Sequence, residues 1–416
     1  MDENDQIEVP KYFICPISLQ IMKDPVITIT GITYDRESIE QWLLRAKNFT
    51  CNCPVTQQPL PRDSDLTPNH TLRRLIQAWC TENASLGVDR IPTPKPCIDK
   101  FYFLKLLKEL ENRNPKSKMA ALTELELLSA KNERNRKYMV EAGVPKAMLL
   151  FILKCFKDNC VNGLEEALSV LFFVKVPQPE AKSFLKQNDE IIKSLVWVLG
   201  CEFKTQFSVK SHAVLVLKSI IEAASSFSLQ RLEPKFFETI VGVLKHGGGA
   251  WVTQQGINAA LHVLLNACPW GRNRLMMVES GAVYALIELE LESPEKRTTE
   301  LIMGILFHLC SCADGRAEFL SHKGGVAVVT KRILRVSATV DDRAVLILSL
   351  ISKFSATNFV VHEMLDVGVV AKLSMLLQVE CPTYLKDKAR EILRSHSDEW
   401  QKYPCIDKTL LTRYIN

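Results

Sequence analysis

Cys15, Cys51, Cys53, His70 and Cys80 are the residues of this chain best suited to chemistry, and metal binding is the first chemistry they suggest. Tetrahedral zinc takes four Cys or His ligands, commonly arranged as C-x2-C pairs. A module braced by two zinc ions would need a second ligand at position 18, and Ser18 stands there. The five groups could furnish one zinc site but not two, so a scaffold without metal is expected. Nucleophilic catalysis is the other use of a thiol, and it needs a base and an orienting group within reach. No His/Asn constellation accompanies Cys15, Cys51 or Cys53. Farther along, His212, His262 and His308 stand singly in apolar helical runs and read as packed core groups. Gly247-Gly248-Gly249 follows His246 without the lysine-serine pair of a phosphate-binding loop, and reads as a connection between helices.

The elements around these cysteines form an ordered series of short motifs. Cys15-Pro16-Ile17-Ser18-Leu19 is followed by Lys23-Asp24-Pro25-Val26, Gly31-Ile32-Thr33-Tyr34-Asp35-Arg36 and Ile39-Glu40-Gln41-Trp42-Leu43. Cys53-Pro54-Val55-Thr56 and Leu66-Thr67-Pro68-Asn69-His70-Thr71-Leu72 complete it. The β-branched run 26–29 with Gly31 after it predicts the first strand and turn of a hairpin. Val26 is expected to pack inside. Ile17 and Leu19 alternate with polar Ser18, which would place both on one side of an extended segment. A helix is expected from Asp35 to residue 44.

This run of motifs resembles the U-box, the zinc-free relative of the RING ubiquitin-ligase domain. The resemblance implies a small α+β module that holds a ubiquitin-charged conjugating enzyme (E2) beside a substrate lysine and forms no covalent intermediate itself. It implies an E2-binding surface of Ile17 and Leu19 in a first loop, Pro54 in a second, and Trp42 on the central helix. Gln57 falls where many family members carry Arg or Lys to bridge E2 and ubiquitin. Glutamine keeps hydrogen-bonding capacity but lacks the guanidinium fork. Cys15, Pro16, Asp24, Pro25, Val26, Tyr34 and Asn69 match structural positions of the family. Without metal the loops need polar cross-links instead. Candidates are Ser18, Thr33, Asp35, Arg36, Glu37, Thr67 and Asn69.

The chain has 416 residues, 47% apolar, with a formal net charge of +5. That length suits two or more domains with sizeable cores. The charge is mild, and no Lys/Arg cluster interleaves with aromatics, so no nucleic-acid partner is expected. The thirteen cysteines are odd in number and lack framework spacing. Reduced thiols in a cytoplasmic protein, or a nuclear one, are the expected state. The opening Met1-Asp2-Glu3-Asn4-Asp5 is polar and acidic, unlike a secretory signal. No run reaches the ~18 apolar residues of a membrane span.

After a polar tail at 1–9, the U-box candidate occupies 10–83. A linker at 84–97 follows, where Pro92, Pro94 and Pro96 alternate and enforce extended backbone. From 98 to 400 the pattern is amphipathic helix almost throughout, and 401–416 form a C-terminal tail. A repeat runs through this region. Turn residues at Gly143, Asn188, Pro234, Gly281, Gly325 and Gly368 each precede an apolar run, at successive spacings of 45, 46, 47, 44 and 43 residues. Such spacing lies in the armadillo/HEAT range. A single repeat cannot bury its apolar face alone, so about six repeats must stack as an α-solenoid.

The array resembles armadillo repeats, and the whole chain is similar to the short plant U-box/armadillo E3 ubiquitin ligases. The expected fold is therefore mostly α, an α+β U-box followed by an armadillo solenoid. The implied partners are a ubiquitin-carrying E2 and a protein substrate held by the armadillo groove. A second copy of the chain is left open. No cofactor is implied, and the implied setting is plant stress and immune signalling. The alternative is an armadillo scaffold whose U-box is weak or inactive. A transport receptor of importin type is disfavoured. Its Trp-x-x-x-Asn pairs are missing, because Trp197, Trp251 and Trp270 are followed four residues later by Cys201, Gln255 and Arg274.

Overall fold

The computed structural model describes residues 9–45, 50–61, 66–86, 88–89, 99–112, 114–203, 206–245, 252–292 and 294–402. The proline-rich stretch 90–96, the triglycine 247–249 and the terminal stretches 1–8 and 403–416 lie outside the described residues. The chain divides into two compact units, Met1–Cys97 and Ile98–Asn416, each with its own core.

The first unit is built on short strands. β1 (Pro25–Ile27) pairs antiparallel with β2 (Thr33–Asp35), and a second two-stranded ladder joins β3 (Thr50–Asn52) to β4 (Pro59–Pro61). β5 (Thr67–Pro68) adds to the free edge of β1, giving the order β2-β1-β5. The first hairpin is shorter than the apolar run suggested. Thr28 and Ile29 belong to the turn, where Thr28 N–H donates to Ile32 O and Gly31 N–H to Thr28 O. Gly31 takes φ +78°, a conformation that costs a residue with a side chain strain. Two helices pack on this frame, α1 (Arg36–Arg45) and α2 (His70–Glu82). Asn69 starts α2 by accepting Leu72 N–H on its side chain at 3.1 Å, and its own N–H donates to Pro25 O at 2.8 Å.

The second unit opens with α3 (Lys100–Glu111) and α4 (Pro115–Lys131), then repeats a three-helix plan. Its members are α5 (Glu133–Glu141), α6 (Val144–Lys157) and α7 (Leu164–Val174), then α8 (Gln178–Gln187), α9 (Ile191–Gly200) and α10 (Gln206–Ala223). Next come α11 (Ser226–Gln230), α12 (Pro234–Lys245) and α13 (Gln254–Ala267), then α14 (Gly271–Glu279), α15 (Ala282–Leu291) and α16 (Lys296–Cys310). α17 (Ala313–Ser321), α18 (Gly325–Arg332) and α19 (Ala338–Phe354) precede α20 (Asn358–Asp366), α21 (Val369–Gln378) and α22 (Thr383–Ser395). The long helices α4, α7, α10, α13, α16, α19 and α22 pack in sequence to form one layer. Helices α6, α9, α12, α15 and α18 form the other. The turn residues seen in the sequence sit where a short helix meets the next member. Gly143, Gly281 and Gly368 adopt φ of +79°, +77° and +81° there. Gly325 is required by close approach instead, since a Cβ on it would lie 2.5 Å from Phe319 O.

Polar side chains tie one repeat to the next. Asn273, fully buried, donates to Ala267 O at the end of α13 and to Leu229 O of α11. Arg316 reaches Cys310 O, the last carbonyl of α16, and Ser355 Oγ beyond α19. The array closes on Trp400, a fully buried side chain whose indole N–H donates to Val361 O of α20. Among the described residues no helix is long and apolar enough to cross a membrane.

Candidate functional site

Two loops of the first unit share one conformation. Cys15 N–H donates to Gln20 O and Cys53 N–H to Gln58 O, both at 2.8 Å. Leu19 N–H returns to Cys15 O and Gln57 N–H to Cys53 O, both at 2.9 Å. Leu19 and Gln57 accordingly take left-handed backbone, φ +56° and +58°. The sequence expectation that Ile17 and Leu19 lie along an extended segment is therefore corrected. The segment is a tight turn, closed by its own backbone hydrogen bonds. Both loops read Cys-Pro, an aliphatic residue, then Ser or Thr. Pro16 is exposed and Pro54 half-buried, so Pro16 serves the turn by fixing φ and not by packing.

Neighbouring residues of one strand hold the two loops. The Asp35 N–H of β2 donates to Cys15 Sγ at 3.3 Å, while the Tyr34 hydroxyl lies 3.0 Å from Cys53 Sγ. Thr30 adds an O–H donor to Cys53 Sγ at 3.3 Å. Burial pushes both thiols up. For Cys15 that is outweighed by hydrogen bonds from Ser18, Asp35 and Ile17, leaving its pKa lowered. For Cys53, hydrogen bonds from Thr30, Thr56 and Tyr34 outweigh burial and bring it to about 6. The Tyr34 hydroxyl is raised, first by burial and then by Cys53. Cys51 and Cys80 are pushed up, foremost by burial, which the one backbone donor at Cys51 does not offset. Cysteine thus works here as a hydrogen-bond hub. No three His, Cys, Asp or Glu side chains converge in a metal-ligating group among the described residues.

A second clamp lies at Asp24. Its carboxylate meets Arg36 at 2.6 Å and Arg73 at 3.8 Å, while Asp35 Oδ1 accepts the Lys23 and Asp24 N–H groups. Pro25 and Val26 are buried on β1, and Asn69 Nδ2 donates to Thr33 Oγ1. Of the polar candidates, Asp35, Arg36, Thr33 and Asn69 enter this network and Ser18 bonds Cys15. Glu37 and Thr67 are exposed.

Apolar side chains on and beside the two loops face solvent. Leu19 is 76% exposed, Val55 50% and Trp42 39%. Ile17 is half-buried against the core. The Trp42 indole N–H donates at 3.1 Å to Asn52 O, at the end of β3 and just before the second loop. Gln57 is exposed, its amide folded back on Pro54 O at 3.4 Å. Val55 was missed in the sequence, although the repeated Cys-Pro pattern equates it with Ile17. Such a rigid patch can bind a protein but presents no nucleophile, because both cysteines are fully buried. In the second unit, His212, His262 and His308 are half-buried and lowered by burial, and His212 stacks on Phe172 at 4.3 Å.

The family model of the U-box domain matches residues 9–85, and that of the plant U-box protein ARM repeat region matches 103–416. The chain is 45% identical over 453 residues to the E3 ubiquitin-protein ligase PUB24 of Arabidopsis thaliana, covering 100% of this chain and 98% of that protein. PUB23 of the same plant is 43% identical, with 100% and 98% covered, and PUB22 39% identical, with 99% of each covered. Among solved structures, one concerning the interaction between cadherin and beta-catenin aligns with TM-score 0.58 at 12% identity, over 80% of this chain and 60% of that one. An engineered protein aligns with TM-score 0.52 at 17% identity, over 76% and 77%. At these identities the likeness is one of fold.

Proposed function

We propose how this chain, which belongs to the plant U-box proteins with an armadillo-repeat region and is an E3 ubiquitin-protein ligase, brings its reactants together. The U-box recruits a ubiquitin-charged E2 on the patch of Ile17, Leu19, Trp42, Pro54 and Val55, and the armadillo array captures the protein substrate. The observation that carries this reading is the exposed apolar patch on two loops braced by Tyr34 and Asp35.

A U-box ligase is a transferase without a covalent ubiquitin intermediate, so its contribution is geometric. Holding the thioester beside a lysine makes a bimolecular step effectively unimolecular, and well-oriented systems gain roughly 7–11 kcal/mol this way. A loop free to sample other conformers would lose part of that gain. Gln57 stands at the edge of the second loop, where its amide can donate to both E2 and ubiquitin. Substrate modification leads to degradation, in the plant stress and immune setting and in the cytoplasm.

The test is discharge of a ubiquitin-charged E2 onto free lysine. Ile17→Ala should slow it about tenfold or more with helix content unchanged. Equal rates for both proteins would favour an armadillo scaffold with an inactive U-box. Residues 1–85 alone should discharge E2 without binding the substrate, and substrate capture by that fragment would overturn the division of labour.

A further inference from the structure

The array contains a cavity of 780 Å³ in the layer formed by α9 and α12, away from the layer of long helices. Its walls are aromatic. Phe156 of α6 and Trp197 of α9 meet edge to face, their centroids 5.7 Å apart, and Phe227 of α11 and Phe236 of α12 close the other side. Ile192 and Val196 line the α9 side. Gly200 completes the wall, and a Cβ built on it would meet nothing within 4 Å.

The mouth is polar and unequally charged. Lys193 is neutralised by Glu233 at 2.7 Å, with Asp189 near the same ammonium group. Flanking Glu233 in the chain, the Arg231 guanidinium lies 4.9 Å from the centre of the Phe227 ring, and Lys235 stands on the first turn of α12. Among the described residues neither of these two cations has a carboxylate partner. An anion entering at that edge would meet two charges already in place.

The lining argues against a peptide. An extended backbone brings an N–H and a C=O with every residue, and each is costly if buried without a partner. No Asn or Gln lines the cavity. Its two hydroxyls are engaged locally, Ser228 with Ser225 and Thr239 with Lys235 O. A ligand with one polar end and an apolar body leaves nothing unsatisfied. The volume falls within the ~300–1,000 Å³ common for small-molecule sites.

We propose that this cavity binds a small amphipathic anion, its apolar body between Trp197 and Phe236 and its acidic head at Arg231 and Lys235. The site lies within the array and takes no residue from the long-helix layer. The test is fluorescence titration of the full chain with anilinonaphthalene sulfonate, and dodecanoate as competitor. One saturable site per chain is expected, displaced by dodecanoate. Gly200→Phe, which fills the cavity from an unobstructed position, should abolish it. Arg231→Glu with Lys235→Glu should weaken it about tenfold or more. The uncharged phenylnaphthylamine should bind more weakly and ignore the charge reversal. Circular dichroism establishes that each variant keeps its helix content. Unchanged binding in Gly200→Phe, or equal affinity for the charged and uncharged probes, would overturn the assignment. Displacement by a short acidic peptide and not by dodecanoate would overturn it in favour of a peptide site.

Discussion

The two units of this chain solve the same stability problem with different materials. The armadillo array has one continuous apolar core, from Phe103 to Trp400, in which each repeat buries the face of the last. The U-box rests on twelve buried apolar side chains among the described residues, and three of these are cysteines. So small a core cannot set the shape of two loops by packing alone, and polar groups supply the rest. In the array, damage should stay near its origin, because repeats contact mainly their neighbours. In the U-box, one broken cross-link should reach the entire module.

The largest effect should come from Val26→Asp, which places a charge in the centre of β1. A cost above about 4 kcal/mol is expected, enough to unfold the U-box. Calorimetry should then show the array transition alone, with E2 discharge lost. Next is Arg332→Ala in the array. Glu290 is fully buried and meets Arg332 at 2.5 Å, so removing the guanidinium strands a carboxylate that burial already pushes up. A loss of about 3–5 kcal/mol is expected in the array, with discharge by the U-box kept. Loss of discharge in that variant would contradict the separation.

A third prediction concerns pH. Cys53 has a folded pKa of about 6 against an ordinary 9.0. A thiol lowered by folding stabilises fully above its unfolded value, and that stabilisation is lost as pH falls through about 6. The U-box should therefore melt at progressively higher temperature between pH 6 and pH 9, with Cys15 acting in the same direction. Cys53→Ala should flatten the profile. Tyr34→Phe should cost about 1–2 kcal/mol and move the window upward, since it removes one donor from the sulfur. The smallest structural effect belongs to Val55→Ala. Being half exposed, it should change stability by less than about 0.5 kcal/mol yet slow E2 discharge severalfold. A normal discharge rate in Val55→Ala would remove this residue from the docking patch.

Much of the array was legible because its turns carry residues with a backbone reason to be there. Gly143, Gly281 and Gly368 stand at left-handed positions, so their spacing traced the repeats. Trp400 left no such trace, as a lone tryptophan in a polar stretch does not announce that it will seal the last repeat. In the U-box the motif order identified the module, but the geometry within it was harder to read. Alternation at 17–19 suggested a strand. The backbone hydrogen bonds that close the turn span only four or five residues, yet they depend on a left-handed Leu19 that its residue type does not announce. Cysteines in this number point to metal ligation or nucleophilic chemistry, whereas their use as acceptors depends on the Asp35 N–H for Cys15 and, for Cys53, on the hydroxyls of Thr30 and Tyr34, 23 and 19 positions upstream. Val55 could have been found by aligning the chain with itself.

Tyr34 and Asp35 are consecutive residues of β2, so the side chain of the first and the backbone N–H of the second tie both loops to one strand. The Tyr34 ring is fully buried and cannot swing freely, so the gap between the jaws is set before any partner arrives. If an E2 docks here as proposed, it meets Val55 on a loop already closed by its own backbone hydrogen bonds, and little backbone ordering is left to the binding step. The same stiffness forbids a loosened grip as the means of letting go. On the proposed function, exchange of spent carrier for fresh would then be governed by how weakly the small exposed patch holds on.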